Sequence, residues 1–132
     1  MSSFLVEIVT PERKVYAETA NMVSVSGVEG ELGILPNHIP LVTPLRIAPV
    51  TIKRGNLVDV VAVNGGFIEV RKDKIVILAE SAELATDINI ERAEAAKQRA
   101  QQRLAAKQDQ VDFRRAELAL QRAMNRLNIK QK

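Results

Sequence analysis

The hydrophobic rhythm of the chain changes near Ser81 and divides it in two. Up to that point apolar residues alternate with polar ones or gather in short β-branched runs, which is the pattern of strands with one or both faces covered. Residues 4–9 form such a run and stop at Thr10-Pro11; residues 14–18 and 22–26 follow, the second alternating cleanly. Residues 27–33, with Gly27, Gly30 and Gly33, read as a turn-rich hairpin zone. Residues 41–45 are short and broken by Pro44. Residues 46–53 make another strand, in which Pro49 demands an edge or bulge position because proline donates no ladder hydrogen bond. Arg54-Gly55-Asn56 predicts a hairpin turn into 57–63, and Asn64-Gly65-Gly66 a further turn before 67–70. Lys72-Asp73 then leads into a strand over 75–79. Short strands spaced about eight to twelve residues apart, with no helical period between them, predict an all-β sandwich or flattened barrel.

Beyond Ser81 the period is helical. Asp87 or Asn89 caps a helix whose body starts at Ile90 or Glu91 and runs to about Lys107. Residues 108–110 form the connection, Asp109 or Asp112 is the next cap, and a second helix runs to about Leu127. A short link between two similar helices makes an antiparallel hairpin. The expected fold class is β + α, with a sandwich over 1–86 and a helical hairpin over 87–132.

The two helices carry nearly the same text. Residues 91–104 align without a gap on 114–127, with nine of fourteen positions identical. Arg92, Arg99 and Arg103 recur as Arg115, Arg122 and Arg126. Steps of seven and eleven residues return to within about 20° of the same direction, so each helix bears one arginine stripe. Beside it run Ala93, Ala100 and Leu104, matched by Ala116, Ala123 and Leu127. Shared helix-forming composition explains part of the repeat. The arginines, however, find few carboxylates one turn away, since Glu94 and Glu117 face Gln98 and Gln121. Converging guanidiniums repel one another unless a polyanion joins them, and arginine favours carboxylate or phosphate oxygens. An anion site or an acidic protein partner is the sharper reading of the stripes. The alanine faces add little, at about 0.8 kcal/mol per buried methylene, so the pair is held weakly while each helix is sound by itself. A stable surface hairpin fits these facts too.

Charge follows the same division. Residues 1–86 carry 8 Lys+Arg against 10 Asp+Glu, and 87–132 carry 11 against 6, so the formal +3 belongs to the hairpin. An acidic partner should meet that part of the chain. Apolar residues reach 46%, but Phe4, Tyr16, Phe67 and Phe113 are the only aromatics, so the core must be mostly Val, Ile and Leu. With no cysteine and a single histidine, His38, neither a disulfide framework nor a thiolate or histidine metal cluster is available. No apolar run approaches the ~20 residues of a membrane span, and the first residues lack the marks of a signal or transit peptide. A soluble cytoplasmic protein is expected.

Catalytic chemistry finds little support. Residues 27–33 fit neither the dinucleotide fingerprint nor the phosphate loop, and their glycines are better read as turn positions. His38, between Pro36 and Pro40, reads as a structural or interface contact. Glu29 and Glu31 either form a solvated acidic turn or meet a basic partner. The chain is read as not an enzyme, with no catalytic residues and no metal ligands.

Four stretches together carry a family resemblance. They are Gly30-Glu-Leu-Gly-Ile-Leu-Pro-Asn-His-Ile-Pro-Leu-Val-Thr-Pro-Leu45, Gly65-Gly-Phe-Ile-Glu-Val70, Val76-Ile-Leu-Ala79 and Arg115-Ala-Glu-Leu-Ala-Leu-Gln-Arg-Ala-Met-Asn-Arg-Leu127. With them the chain closely resembles, over essentially its whole length, the epsilon subunits of bacterial F-type ATP synthases. The resemblance implies a ten-stranded sandwich that binds the gamma subunit and the c ring on the rotor stalk, at the cytoplasmic face of the cell membrane. It implies a helical hairpin that brakes ATP hydrolysis, either folded down or extended along gamma into the alpha and beta subunits. Arg115, Arg122 and Arg126 would then meet an acidic segment of beta, and Glu31 and His38 would contact the c ring.

The sequence is most similar to Bacillus-type members, which bind ATP, with or without magnesium, through a motif of the form Ile/Leu-Asp-x-x-Arg-Ala. Here the stretch is Ile88-Asn89-Ile90-Glu91-Arg92-Ala93, with Asn89 in the place of the aspartate. By the same resemblance Glu83, Arg99, Arg122 and Arg126 complete the set. Asn89 keeps a carbonyl for the adenine amino group and loses the charge. Since charged hydrogen bonds contribute roughly 1.5–3 kcal/mol and neutral ones about 1, the expectation is ATP binding weakened on the order of tenfold. A brake without nucleotide sensing is the alternative. A nucleic-acid-binding hairpin is a remote third, because stacking aromatics are missing apart from Phe113.

Overall fold

The computed structural model describes residues 2–106 and 110–130, apart from the side chains of 110–112 and 130. It divides into two compact units, Met1–Ala85 and Thr86–Lys132.

The first unit is built of eight strands: β1 (Phe4–Val9), β2 (Lys14–Ala20), β3 (Met22–Gly27), β4 (Gly30–Ile34), β5 (Leu41–Arg54), β6 (Leu57–Val70), β7 (Lys74–Ala79) and β8 (Ala82–Leu84). Their order is β2-β1-β7-β6-β5-β3-β4, with β8 paired to β6. All neighbours are antiparallel except β1 and β7. The organising element is the hairpin of β5 and β6, each 14 residues long. One register runs from Leu41↔Val70 to Arg54↔Leu57 and closes on a two-residue turn, Gly55-Asn56, with Gly55 at φ +60°.

The two halves of this hairpin serve different layers. Gly66–Val70 pairs with β7, which pairs in turn with β1. The stretch Val61–Val63 pairs with β8, and Thr51–Lys53 of β5 with β3. Long strands that bend from one sheet into another are the usual corners of such packings. The resemblance implied ten strands; eight are found because residues 41–54 and 57–70 continue through their proline and glycine signals. Asn64-Gly65-Gly66, expected as a turn, is a bend inside β6, with φ of +85° at Gly65 and +134° at Gly66. A Cβ on Gly66 would lie 2.1 Å from the Leu78 carbonyl oxygen, so glycine is required there by space as well as by φ. Pro49 lies where the β3–β5 ladder shifts register between Ser24 and Gly27, the bulge it had demanded. Part of the expected turn zone 27–33 is strand β4, and β8 is too short to show a period.

Alternation turns one side of each strand inward. Val6, Ile8, Ile68, Ile75 and Ile77 from one layer meet Val23, Val25, Ile34, Val50, Ile52, Val61 and Val63 from the other in a single core. Val and Ile supply thirteen of its nineteen buried residues, as the shortage of aromatics required; Phe4 and Tyr16 are its buried aromatics and Leu45 its one buried leucine. Tyr16 of β2 is buried and donates to Asp59 (2.6 Å), which also accepts from Arg54 (2.7 Å) at the far end of the long hairpin. Burial, and then the Asp59 contact, raises the Tyr16 pKa, while Arg54 lowers that of Asp59.

A 3-10 turn (Ala85–Asp87) spans the division, and the second unit holds α1 (Ile90–Ala106) and α2 (Gln110–Lys130), which pack against each other. α2 continues past Leu127 because neither glycine nor proline follows to stop it. The connection expected near 108, and the side chains of Asp109 and Asp112 proposed as caps, lie outside the described residues.

Gly66→Ala should destabilise the chain by about 3 kcal/mol or more, because the backbone it meets cannot yield. A urea unfolding midpoint measured beside the parent checks this. Glu7, only 7% exposed, lies between Lys14 (2.5 Å) and Lys74. The hydrogen bonds from Lys14 and then Lys74 hold its pKa down to about 2 from the ordinary 4.5. A carboxylate with a depressed native pKa contributes stability that is complete above its unfolded value and lost as pH falls toward its native one. Glu7→Gln should therefore flatten the stability–pH curve between about 4.5 and 2. Denaturant titrations across that window read the slope directly.

Candidate functional site

The helix start is set by one side chain. Asn89 Oδ1 accepts from the Arg92 backbone N–H at 3.0 Å, and the Asn89 carbonyl accepts from Ala93 N–H at 3.0 Å. Asn89 is thus the N-cap of α1, resolving the choice between it and Asp87. Glu91 adds a negative charge to the first turn, and Arg103 a positive one to the last, both favourable to the helix dipole.

The seam between the helices is made of small residues. Ala93, Ala100, Ala116 and Ala123 are at most 3% exposed, and Leu127 is 4% exposed, while Leu104 is half-buried. Helices packed on such faces approach to about 8 Å. With α1 ending at Ala106 and α2 starting at Gln110, Ala93 comes level with Ala123, and Ala100 with Ala116.

That seam decides where the arginines go. Each of the six immediately precedes a seam residue: Arg92 before Ala93, Arg99 before Ala100, Arg103 before Leu104, and likewise Arg115, Arg122 and Arg126 on α2. In an antiparallel pair the flank preceding the seam falls on the same side of both helices, because the two-fold relating them is normal to the hairpin plane. The two stripes therefore share one edge. Arg99 and Arg115 there lie about 3 Å apart along the axis, and Arg92 falls between the levels of Arg122 and Arg126 at the open end. Arg92, Arg99, Arg103 and Arg115 are exposed, and Arg122 and Arg126 half-buried. Arg114 pairs with Glu117, off this edge, and among the described residues Arg92, Arg99, Arg103, Arg115 and Arg122 form no ion pair. The arrangement can accept a polyanion along its length.

The other expected residues are more dispersed. Ile88 is buried at the start of the second unit, whereas Glu83 belongs to β8 in the first. Glu31 is exposed on β4 opposite Ser26. His38 is half-buried in the following loop, where its N–H donates to Leu35 O and Nδ1 lies 2.7 Å from Ile39 O. No hydrogen bond links Glu31 and His38. Asn37 beside it has φ +67°.

A surface that no motif announced lies on the sandwich. Pro44, Phe67, Leu78 and Val9 are successive cross-strand partners, pointing outward from β5, β6, β7 and β1. Phe67 and Leu78 are each 51% exposed, and Val42, in the next row, 68%. A contiguous outward apolar row of this kind marks an interaction surface. The signal was present in the phase of alternation, which puts Phe67 and Leu78 opposite to the core residues Ile68 and Ile77.

Both units match known families. The family model for the ATP synthase delta/epsilon chain β-sandwich domain covers residues 3–85, and the one for the long α-helix domain of that chain covers 86–131. The chain belongs to the ATP synthase delta/epsilon family. It is 58% identical to the ATP synthase epsilon chain of Halalkalibacterium halodurans over 114 residues, 86% of each chain. It is 57% identical to that of Brevibacillus brevis over 113 residues, 85% of this chain and 86% of the other. A chain in the mitochondrial ATP synthase of Euglena gracilis shares the fold, with a TM-score of 0.81 at 20% identity over 95% of this chain and 79% of that one. Against this epsilon-family background, no helix among the described residues is long and apolar enough to cross a membrane.

Because Asn and Asp cap about equally well, Asn89→Asp should leave α1 intact, while Asn89→Ala should cost about 1 kcal/mol of local helix stability. Amide hydrogen exchange over residues 90–96 of the full chain distinguishes the two.

Proposed function

We propose that this chain is the non-catalytic epsilon subunit of a bacterial F-type ATP synthase, seated on the central stalk at the cytoplasmic face of the cell membrane. Its sandwich binds the gamma subunit through the row around Phe67 and Leu78, and the c ring through Glu31 and His38. Its hairpin restrains ATP hydrolysis, with Arg115, Arg122 and Arg126 meeting acidic residues of the beta subunit near alpha. The observation that carries this reading is the joint match of both units to one family, together with six arginines on one hairpin edge. A structural relative at TM-score 0.64 comes from the central stalk and c-ring assembly of the Tetrahymena thermophila enzyme.

In the same reading ATP stabilises the folded-down hairpin through Glu83, Ile88, Asn89, Arg92, Ala93, Arg99, Arg122 and Arg126, with or without magnesium. A ligand can shift the brake only by binding one state better than the other. One observation favours a second reading, a brake without nucleotide input. Asn89 Oδ1 is already engaged by the Arg92 N–H, so its carbonyl is shared between cap and ligand. An aspartate has a second oxygen to spare.

Calorimetry of the full chain with ATP separates these readings, beside Asn89→Asp and Arg92→Ala. Saturable binding that Arg92→Ala removes and Asn89→Asp tightens about tenfold supports the sensor. Heat from Asn89→Asp alone supports the brake without input, and silence from both removes the ATP site. In parallel, adding the chain to an alpha–beta–gamma complex should slow hydrolysis. Replacing Arg115, Arg122 and Arg126 by alanine should relieve that inhibition, and Phe67→Asp should weaken attachment to the complex by about 30-fold or more. Unchanged hydrolysis with the chain bound would refute the brake.

A further inference from the structure

The bend that carries β6 between layers forces a chemically labile pair of residues into the sandwich. Asn64-Gly65 is the only Asn-Gly sequence in the chain. In a flexible chain this pair is prone to cyclisation, because glycine has no Cβ to keep its amide nitrogen away from the asparagine side chain. The fold does not permit an escape by substitution at Gly65, whose φ is +85°, or at Gly66, whose φ is +134°. Asparagine is equally engaged. Asn64 is 1% exposed, its Nδ2 donates to Ser81 Oγ at 2.9 Å, and its backbone N–H donates to Ser81 O at 2.9 Å. One residue on, the Gly65 carbonyl accepts from Glu80 N–H at 3.1 Å. Both sides of the reactive bond are thus pinned to the same β7–β8 turn.

We propose that Asn64-Gly65 is a deamidation site masked by the folded sandwich and exposed whenever the layer crossing opens. The Gly65 amide nitrogen, giving up its proton, attacks the Asn64 side-chain carbonyl carbon; the bond from that carbon to Nδ2 breaks, and the NH2 takes the proton and leaves as ammonia, giving a cyclic succinimide. Water then opens the ring at one carbonyl to give aspartate, or at the other to give isoaspartate. In the closed state the carboxamide is held on Ser81, so the rate equals the opened population times the rate in free chain.

The product does not return to the native crossing. Aspartate would place a charge where Asn64 is buried, close to the turn that bears Glu80; a Cβ on Gly65 would already lie 3.7 Å from Glu80 Oε2. Isoaspartate lengthens the backbone inside β6, where a slip of phase exchanges core and solvent faces. A reversible opening becomes a permanent covalent mark on chains that have lost the sandwich.

The full-length chain is held in mildly alkaline buffer, native, in a urea series and fully unfolded, and each asparagine-containing peptide is followed by mass for the one-dalton gain. Unfolded chain should convert at Asn64 ahead of every other asparagine, and native chain slower by on the order of 10³-fold or more. Refolded yield should fall in step with conversion. Ser81→Ala should speed native conversion by about tenfold and leave the unfolded rate unchanged. Should Ser81→Ala not fold, the parent's urea series decides, since its rate must follow the opened population. Native conversion at the unfolded rate, another asparagine reacting first, or full refolding of converted chain would each overturn the proposal.

Discussion

The sandwich depends on one constraint: a single hairpin must supply strands to both of its layers. Because β5 and β6 keep one register from end to end, their bend couples the two sheets rigidly, and the Val and Ile core forms between surfaces that cannot slide independently. Glycines at the crossing let β6 pass within touching distance of β7. Asn64 then satisfies its buried amide on Ser81, and the backbone on either side of the sharpest point bonds to the same turn. At the other end, Tyr16, Asp59 and Arg54 tie β2 to the tip of the same hairpin.

The hairpin follows a different logic. Its seam of alanines lets two helices approach closely with little area removed from water, so helix propensity and capping carry much of the stability. The same seam, by its position in the repeat, sorts all six arginines onto one edge. Weak docking and concentrated positive charge are two consequences of one spacing, and together they suit an element that exchanges partners.

Much of this is legible in the sequence. Periods of two and 3.6 residues separated the two halves within a residue or two of the observed division, and the repeat named the buried alanines and the flanking arginines. Asn89 was recognised as a cap candidate from its place before the first helical turn. What failed were the punctuation marks. Pro44 and Gly65-Gly66 read as strand ends, since breakers in a short window look alike whether the chain reverses or merely bends.

By itself, then, the sequence determined what is local or periodic: the fold class, which face of the alternating strands and of the helices is covered, the basic hairpin, and the family. The tertiary structure decided what depends on residues far apart in the chain. It joined four expected strands into two, clamped Asn64 on Ser81, and lined Val9, Leu78, Phe67 and Pro44 into one outward-facing row. The physical reason is that alternation states which side a residue faces, while strand register alone states which residue it faces there.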